Sequence, residues 1–218
     1  LAALEAKRQQ EEQWMKDEYV PVTSFIHTLS FDNYRRIYQA YQTPTDFYAD
    51  TYDMDLRLGG DSIYDKTRHY SLKNTLAIAM LEGFNKWAKA GLKIFATSEL
   101  RHFSLPAPTM GTDSYNEHNL SIGAQMNKTQ GSFRFKATAE ATLTGTGAGQ
   151  LKLNGQTDLR LPLLGDTLRS DAKAGMERLV PTFYYRHYHS RHLWWDKTLD
   201  KETRANLEGV LTFSRTKT

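Results

Sequence analysis

Gln150-Leu151-Lys152-Leu153-Asn154-Gly155-Gln156-Thr157-Asp158-Leu159-Arg160-Leu161 reads as two interleaved sequences. Leu151, Leu153, Gly155, Thr157, Leu159 and Leu161 fall on alternate positions, with Lys152, Asn154, Gln156, Asp158 and Arg160 between them. A β-strand turns successive side chains to opposite faces, so the stretch makes a strand with one apolar and one polar, charged face. A helix would scatter the same residues around its axis.

The texture spreads both ways from there. Upstream, Phe133, Phe135, Ala137, Ala139, Ala141 and Leu143 alternate with Arg134, Lys136, Thr138, Glu140 and Thr142. Before that, Leu120, Ile122, Ala124 and Met126 alternate with Asn119, Ser121, Gly123, Gln125 and Asn127. Downstream, Ala205, Leu207, Gly209, Leu211 and Phe213 alternate with Arg204, Asn206, Glu208, Val210 and Thr212. The pattern predicts further strands near residues 22–31, 33–41, 70–80, 89–103, 168–179 and 184–195. Breakers separate them, among them Gly59-Gly60-Asp61, Pro106, Pro108, Gly131, Gly165-Asp166 and Pro181. Gly145-Thr146-Gly147-Ala148-Gly149 joins two strands and precedes no helix, which predicts a hairpin turn and not a nucleotide loop.

One segment has another character. Residues 1–18, LAALEAKRQQEEQWMKDE, consist of strong helix formers with sparse apolar positions (Leu1, Leu4, Trp14 and Met15). They predict a charged helical loop segment outside a β-domain over 19–218, with Pro21 stopping the helix. The two ends do not resemble natural termini, and a piece of a longer chain is expected.

The composition narrows the class. The chain has 218 residues, 39% hydrophobic and 24% charged, and no cysteine, which excludes a disulfide framework and thiolate chemistry. A net charge of +3 is too mild to predict nucleic acid as a partner. The longest apolar run, Thr75 to Leu81, falls well short of the 18 or so residues of a spanning helix. A transmembrane β-strand needs only about ten residues with every second one apolar, and escapes hydropathy.

A soluble ligand-binding β-sandwich also alternates. Three features favour a membrane barrel: long strands, polar faces dense in charge, and aromatics near strand ends. Tyr184, Tyr185, Trp194 and Trp195 are the expected interfacial aromatics. The expected fold is all-β: an antiparallel up-and-down transmembrane β-barrel wall, with one short N-terminal helix. The length accommodates about 8–10 strands, roughly half the wall of an aqueous channel of about sixteen.

Several blocks carry a resemblance. Val20-Pro21-Val22-Thr23-Ser24-Phe25-Ile26-His27-Thr28 precedes Asp32-Asn33-Tyr34-Arg35-Arg36-Ile37-Tyr38. Leu81-Glu82-Gly83-Phe84-Asn85-Lys86-Trp87-Ala88-Lys89 and Tyr115-Asn116-Glu117-His118-Asn119-Leu120 follow, then His192-Leu193-Trp194-Trp195-Asp196-Lys197. In this order and spacing they resemble the putative porin family of Bacteroidetes, from about Glu12 onward. The resemblance implies part of a longer outer-membrane β-barrel in a Gram-negative bacterium, and it carries over no catalytic residue.

Four groups of side chains are candidates for chemistry. His187 and His189 share a strand face and could hold a metal ion, but no adjacent carboxylate completes a site. The surrounding basic cluster, Arg186 to His192, could instead meet acidic lipid head groups. His102 and His118, with Glu99, Asp113 and Glu117 near, allow acid–base chemistry only if a hairpin brings them together. The largest group is the charge rows: Lys93, Glu99, Arg134, Lys136, Glu140, Lys152, Asp158, Arg160 and Glu208 are expected to line a lumen as a mixed-charge wall. No nucleophile elbow, phosphate loop or His-Glu-x-x-His occurs, so no enzyme, metal or cofactor is expected. The expected function is passive diffusion of small hydrophilic solutes, with a non-conducting structural or assembly barrel as the alternative. Expected partners are outer-membrane lipid, the remainder of the parent barrel and other outer-membrane proteins.

Overall fold

The computed structural model describes residues 23–42, 44, 47–48, 63–80, 90–107, 111–163 and 166–213. The helical segment expected at 1–18 lies outside them. Eight strands make one sheet: β1 (Thr23–Ala40), β2 (Ile63–Met80), β3 (Gly91–Pro106), β4 (Thr112–Lys128), β5 (Phe133–Thr144), β6 (Leu151–Leu163), β7 (Asp166–Leu179) and β10 (Glu202–Phe213). Each pairs antiparallel with its neighbour in that order, an all-β up-and-down sheet as the alternation predicts. The sheet is open: β1 and β10 are its edges. Between β7 and β10 lie a helical turn α1 (Phe183–Arg186) and the short strands β8 (His187–His189) and β9 (Trp194–Asp196), which pair with each other.

Two strand expectations are corrected. The strands expected at 22–31 and 33–41 are one strand, Thr23–Ala40, because Asp32 and Asn33 stay in the ladder opposite Ser71 and Tyr70. A strand over 184–195 is not part of the wall. Glu202 stands directly opposite Leu179, so β7 and β10 are already neighbours and the residues between them are surplus to the sheet. Pro181 ends the β7 extension, and Tyr185 N–H donates to the Thr182 carbonyl at 3.0 Å to start the helical turn.

The β5–β6 connection is the predicted hairpin turn. Gly145 and Gly149 adopt φ of 91° and 77°, where a side chain is disfavoured. A Cβ at Gly145 would stand 1.6 Å from the His118 carbonyl oxygen, so glycine is needed there on packing grounds too.

The register assigns every strand residue to a face. Following partners from Lys152 puts Glu177, Arg204, Glu140 and Gly123 on the same side; Gln125, two residues on from Gly123, shares that side and pairs on through Lys93 and Ala79 to Ser24. The opposite side carries Phe25, Ile78, Ile94, Ala124, Ala139, Leu153, Met176 and Ala205. Burial runs opposite to that of a soluble sheet. On the apolar side Leu76 is 61% exposed, Ile94 54% and Met176 45%. On the polar side Glu117 is 6% exposed, Asn119 5% and Thr97 5%. The buried apolar cluster is small: Phe103, Leu105 and Phe183, with Tyr115 and Tyr184 against it.

Candidate functional site

The strands are amphipathic in two lengthwise zones. On the apolar side β1 begins Phe25, Leu29, Phe31 and continues Asn33, Arg35; β4 ends Leu120, Ile122, Ala124, Met126 after Ser114, Asn116, His118. One half of β1–β4 is therefore apolar outside and polar inside, and the other half is polar outside as well. The polar zone lies at the end that carries the connections 41–62, 107–111, 145–150 and 180–201. The other end carries 129–132 and 164–165 among its turns.

All nine charged residues expected to line a lumen share the polar face. Asp158 is their hub. It lies 2.8 Å from Arg134, 2.8 Å from Arg169 and 3.3 Å from Arg160, which join β5, β6 and β7. Glu208 pairs with Lys173 at 3.3 Å across β10 and β7. The Lys93 ammonium sits 5.6 Å from the Phe95 ring centroid. Glu99 accepts from Ser71 at 3.5 Å and lies 3.9 Å from Arg101. Lys136 borders a cavity with Gln125, Arg134, Gln156 and Asp158, while Glu140 and Lys152 border another with Lys73, Arg101 and Arg186.

Sequence reading missed Lys73, Arg101, Arg169, Asp171, Lys173 and Glu177 on this face. Their period-two spacing in β2, β3 and β7 was the available signal.

The expected acid–base group does not assemble. His102 and His118 are on the apolar side, bonded to Asn116 at 2.7 Å and Ser98 at 3.1 Å. Glu99, Asp113 and Glu117 point to the polar side, so the sheet separates the imidazoles from the carboxylates.

The segment 180–201 crosses the polar face, and is called the strap below. Phe183 stacks on Phe103 with centroids 3.7 Å apart, and Arg186 pairs with the buried Glu117, which Arg101 also approaches at 3.2 Å. His189, 1% exposed, faces the Pro106 carbonyl at 3.1 Å. The Arg191 amide donates to the Asp65 carboxylate at 3.3 Å, and Arg36 donates to the Tyr188 hydroxyl at 2.9 Å. These contacts fall on β3 and β4, then β2, then β1, so the strap reaches from its root beside β7 to the far edge strand.

The basic cluster therefore packs on the polar face, away from the side expected to meet lipid. Trp194 stacks on His189 and Trp195 on Tyr188, while Tyr184 packs edge-on against Phe103. Tyr185 is exposed. These four aromatics sit on the strap and not at the ends of wall strands. The β8–β9 pairing also supplies the carboxylate that the sequence did not place beside the histidines: Asp196 is 2.7 Å from His187 and 3.0 Å from His189. Burial pushes the Asp196 carboxyl up, but hydrogen bonds from His187 and His189 outweigh it and hold the group below the usual carboxylate range. Among the described residues no group of three or more His, Asp or Glu side chains is arranged to hold a metal ion.

An antiparallel sheet with an outward apolar band crossing its strands, and charge hubs on the reverse, is the construction of a membrane β-barrel wall. The family described as "Putative porin" matches residues 4–218, and the chain belongs to it. The class is thus porin-like, in general terms an outer-membrane one. No curated protein and no solved structure matches the chain.

Proposed function

We propose that this chain forms the wall of a closed β-barrel in the outer membrane of a Gram-negative bacterium, and that the barrel passes small hydrophilic solutes by diffusion. The observation that carries the reading is the reversed burial: Leu76, Ile94 and Met176 outward, Thr97, Glu117 and Asn119 inward. A soluble sandwich would cover the outward set with a second layer. Lipid accepts it bare, and water in a lumen accepts Asp158 with its three arginines.

The open edges support closure. Unpaired backbone N–H and C=O groups on β1 and β10 are costly in hydrocarbon, so both edges require strand partners. Closing eight strands on themselves would leave an interior filled by side chains, so a conducting form takes further strands from the rest of the barrel. The strands suffice in length: β1 and β2 have 18 residues each, against the 9–11 or so that a tilted strand needs to cross. The surplus, with the long connections at that end, is what an external mouth shows.

The test is conductance of the full-length protein in planar bilayers. Discrete steps of one unit size are expected. Absence of any step, from protein whose gel migration is heat-modifiable, would favour the structural barrel instead.

A further inference from the structure

We propose that the strap is the constriction of this channel and biases it toward small anionic solutes, an inference that rests on the porin reading above. Its topology is the first argument. Leu179 and Glu202 face each other across the β7–β10 ladder, so a turn of about two residues would join them. The chain instead inserts 180–201 and lays it over the polar face.

The anchoring of the strap points the same way. The strap touches β1 through Arg36, β2 through Asp65, β3 through Phe103 and β4 through Glu117. A loop idling in water would not need a buried aromatic stack, a buried carboxylate between two guanidiniums, and an imidazole that is 1% exposed. Phe103 and Leu105 are apolar residues on the polar face, and the strap is what keeps them from water.

Charge also sets the strap apart from the wall. Along the wall the cations are matched by carboxylates, as in Arg134–Asp158 and Lys173–Glu208. The strap carries Arg186, Arg191, Lys197 and Lys201 against Asp196 and Asp200. A near-neutral wall leaves ion preference to the narrowest point, and the element that narrows it is basic.

Two experiments on the full-length protein test this. In the first, residues 180–201 are replaced by a two-residue Asn-Gly turn and unit conductance is measured beside the wild type, with the reversal potential in a KCl gradient. The expected result is a severalfold rise in unit conductance and loss of anion preference. A deletion that conducts where the wild type is closed would overturn an anion-selective constriction, because the strap would then seal the pore. Equal conductance and equal selectivity in both proteins would overturn the proposal while leaving the porin reading intact. The second experiment needs no conductance. The chain has no cysteine, and the Arg191 amide donates to the Asp65 carboxylate at 3.3 Å, so thiols placed at the two positions lie within the span of a short bifunctional thiol reagent. Asp65→Cys with Arg191→Cys is expected to cross-link in outer-membrane vesicles treated with a short bismaleimide. Failure to cross-link in protein that is folded would mean that the strap does not lie on the polar face, and would overturn the proposal even if neither protein conducted.

Discussion

The polar faces of β2–β4 and of β5–β7 follow the same alternation and end in different environments. Over β5–β7 the face is an open mesh of ion pairs, with Arg134, Asp158 and Arg169 partly exposed. Over β2–β4 the same face is closed, with Asp65, Thr67, Phe103, Leu105 and Glu117 buried. The difference comes from the strap. A strand's period decides which side chains share a face, and only the rest of the chain decides whether that face is wet.

Four substitutions or conditions test this contrast. The largest effect is expected for Phe183→Ala, which removes a ring 3% exposed and stacked on Phe103. Docking of the strap should lose about 3–5 kcal/mol, read as faster hydrogen exchange over 183–196 with β5–β7 unchanged. Uniform loss across both regions would mean that the strap is part of the sheet's own core.

The next effect tests the outer face. Leu153→Arg, facing outward on β6 between Ala139 and Met176, should cost about 2–4 kcal/mol in urea titration of vesicle-folded protein. Lys152→Leu on the inner face should cost far less. Equal costs would contradict a one-sided sheet.

A smaller effect is expected from pH. Asp196 has a depressed carboxyl in the folded protein, so its contribution is present above the ordinary value of 3.8 and is lost as pH falls through the depressed one. His187, His189 and the Tyr115 hydroxyl face this carboxylate. Strap exchange should accelerate in acid below that range, and Asp196→Asn should remove the acid dependence. An acid response that persists in Asp196→Asn would assign it to another group.

The smallest effect concerns the open mesh. Arg134 and Asp158 are 2.8 Å apart but partly solvated, at 32% and 14% side-chain exposure. A double-mutant cycle should give a coupling of about 0.2–1 kcal/mol. A value several times larger would mean that this region too is covered.

Much of this arrangement was legible in the sequence, for reasons that differ by region. From Phe133 to Leu161 the alternation is strict, because both faces meet a uniform medium, and the strands and turn follow directly. The nine charged residues fell on one face for the same reason. In β3 the inner row runs Glu99, Arg101, Phe103, Leu105, a change from charged to apolar that marks where something covers the strand. What covers it was not legible. Tyr184 to Trp195 is rich in residues that favour strands, yet the strand it suggests has no place once β10 pairs with β7. That pairing is a long-range choice, and no local pattern encodes it. The histidines show the same limit: His102 and His118 are close along the hairpin to Glu99 and Glu117, but odd and even positions put them on opposite sides.

The central claim is that one face of this sheet meets lipid and the other meets water. The most direct measurement is a cysteine scan of residues 151–161, one site at a time, in full-length protein with any cysteine outside these 218 residues replaced, in outer-membrane vesicles. Each site is probed with a charged, water-soluble thiol reagent and with a lipid-soluble one. The account predicts reaction with the soluble reagent at Lys152, Asn154, Gln156, Asp158 and Arg160, and with the lipid-soluble reagent at Leu151, Leu153, Gly155, Thr157 and Leu159. Labelling by the water-soluble reagent at every position, without a period of two, would contradict it.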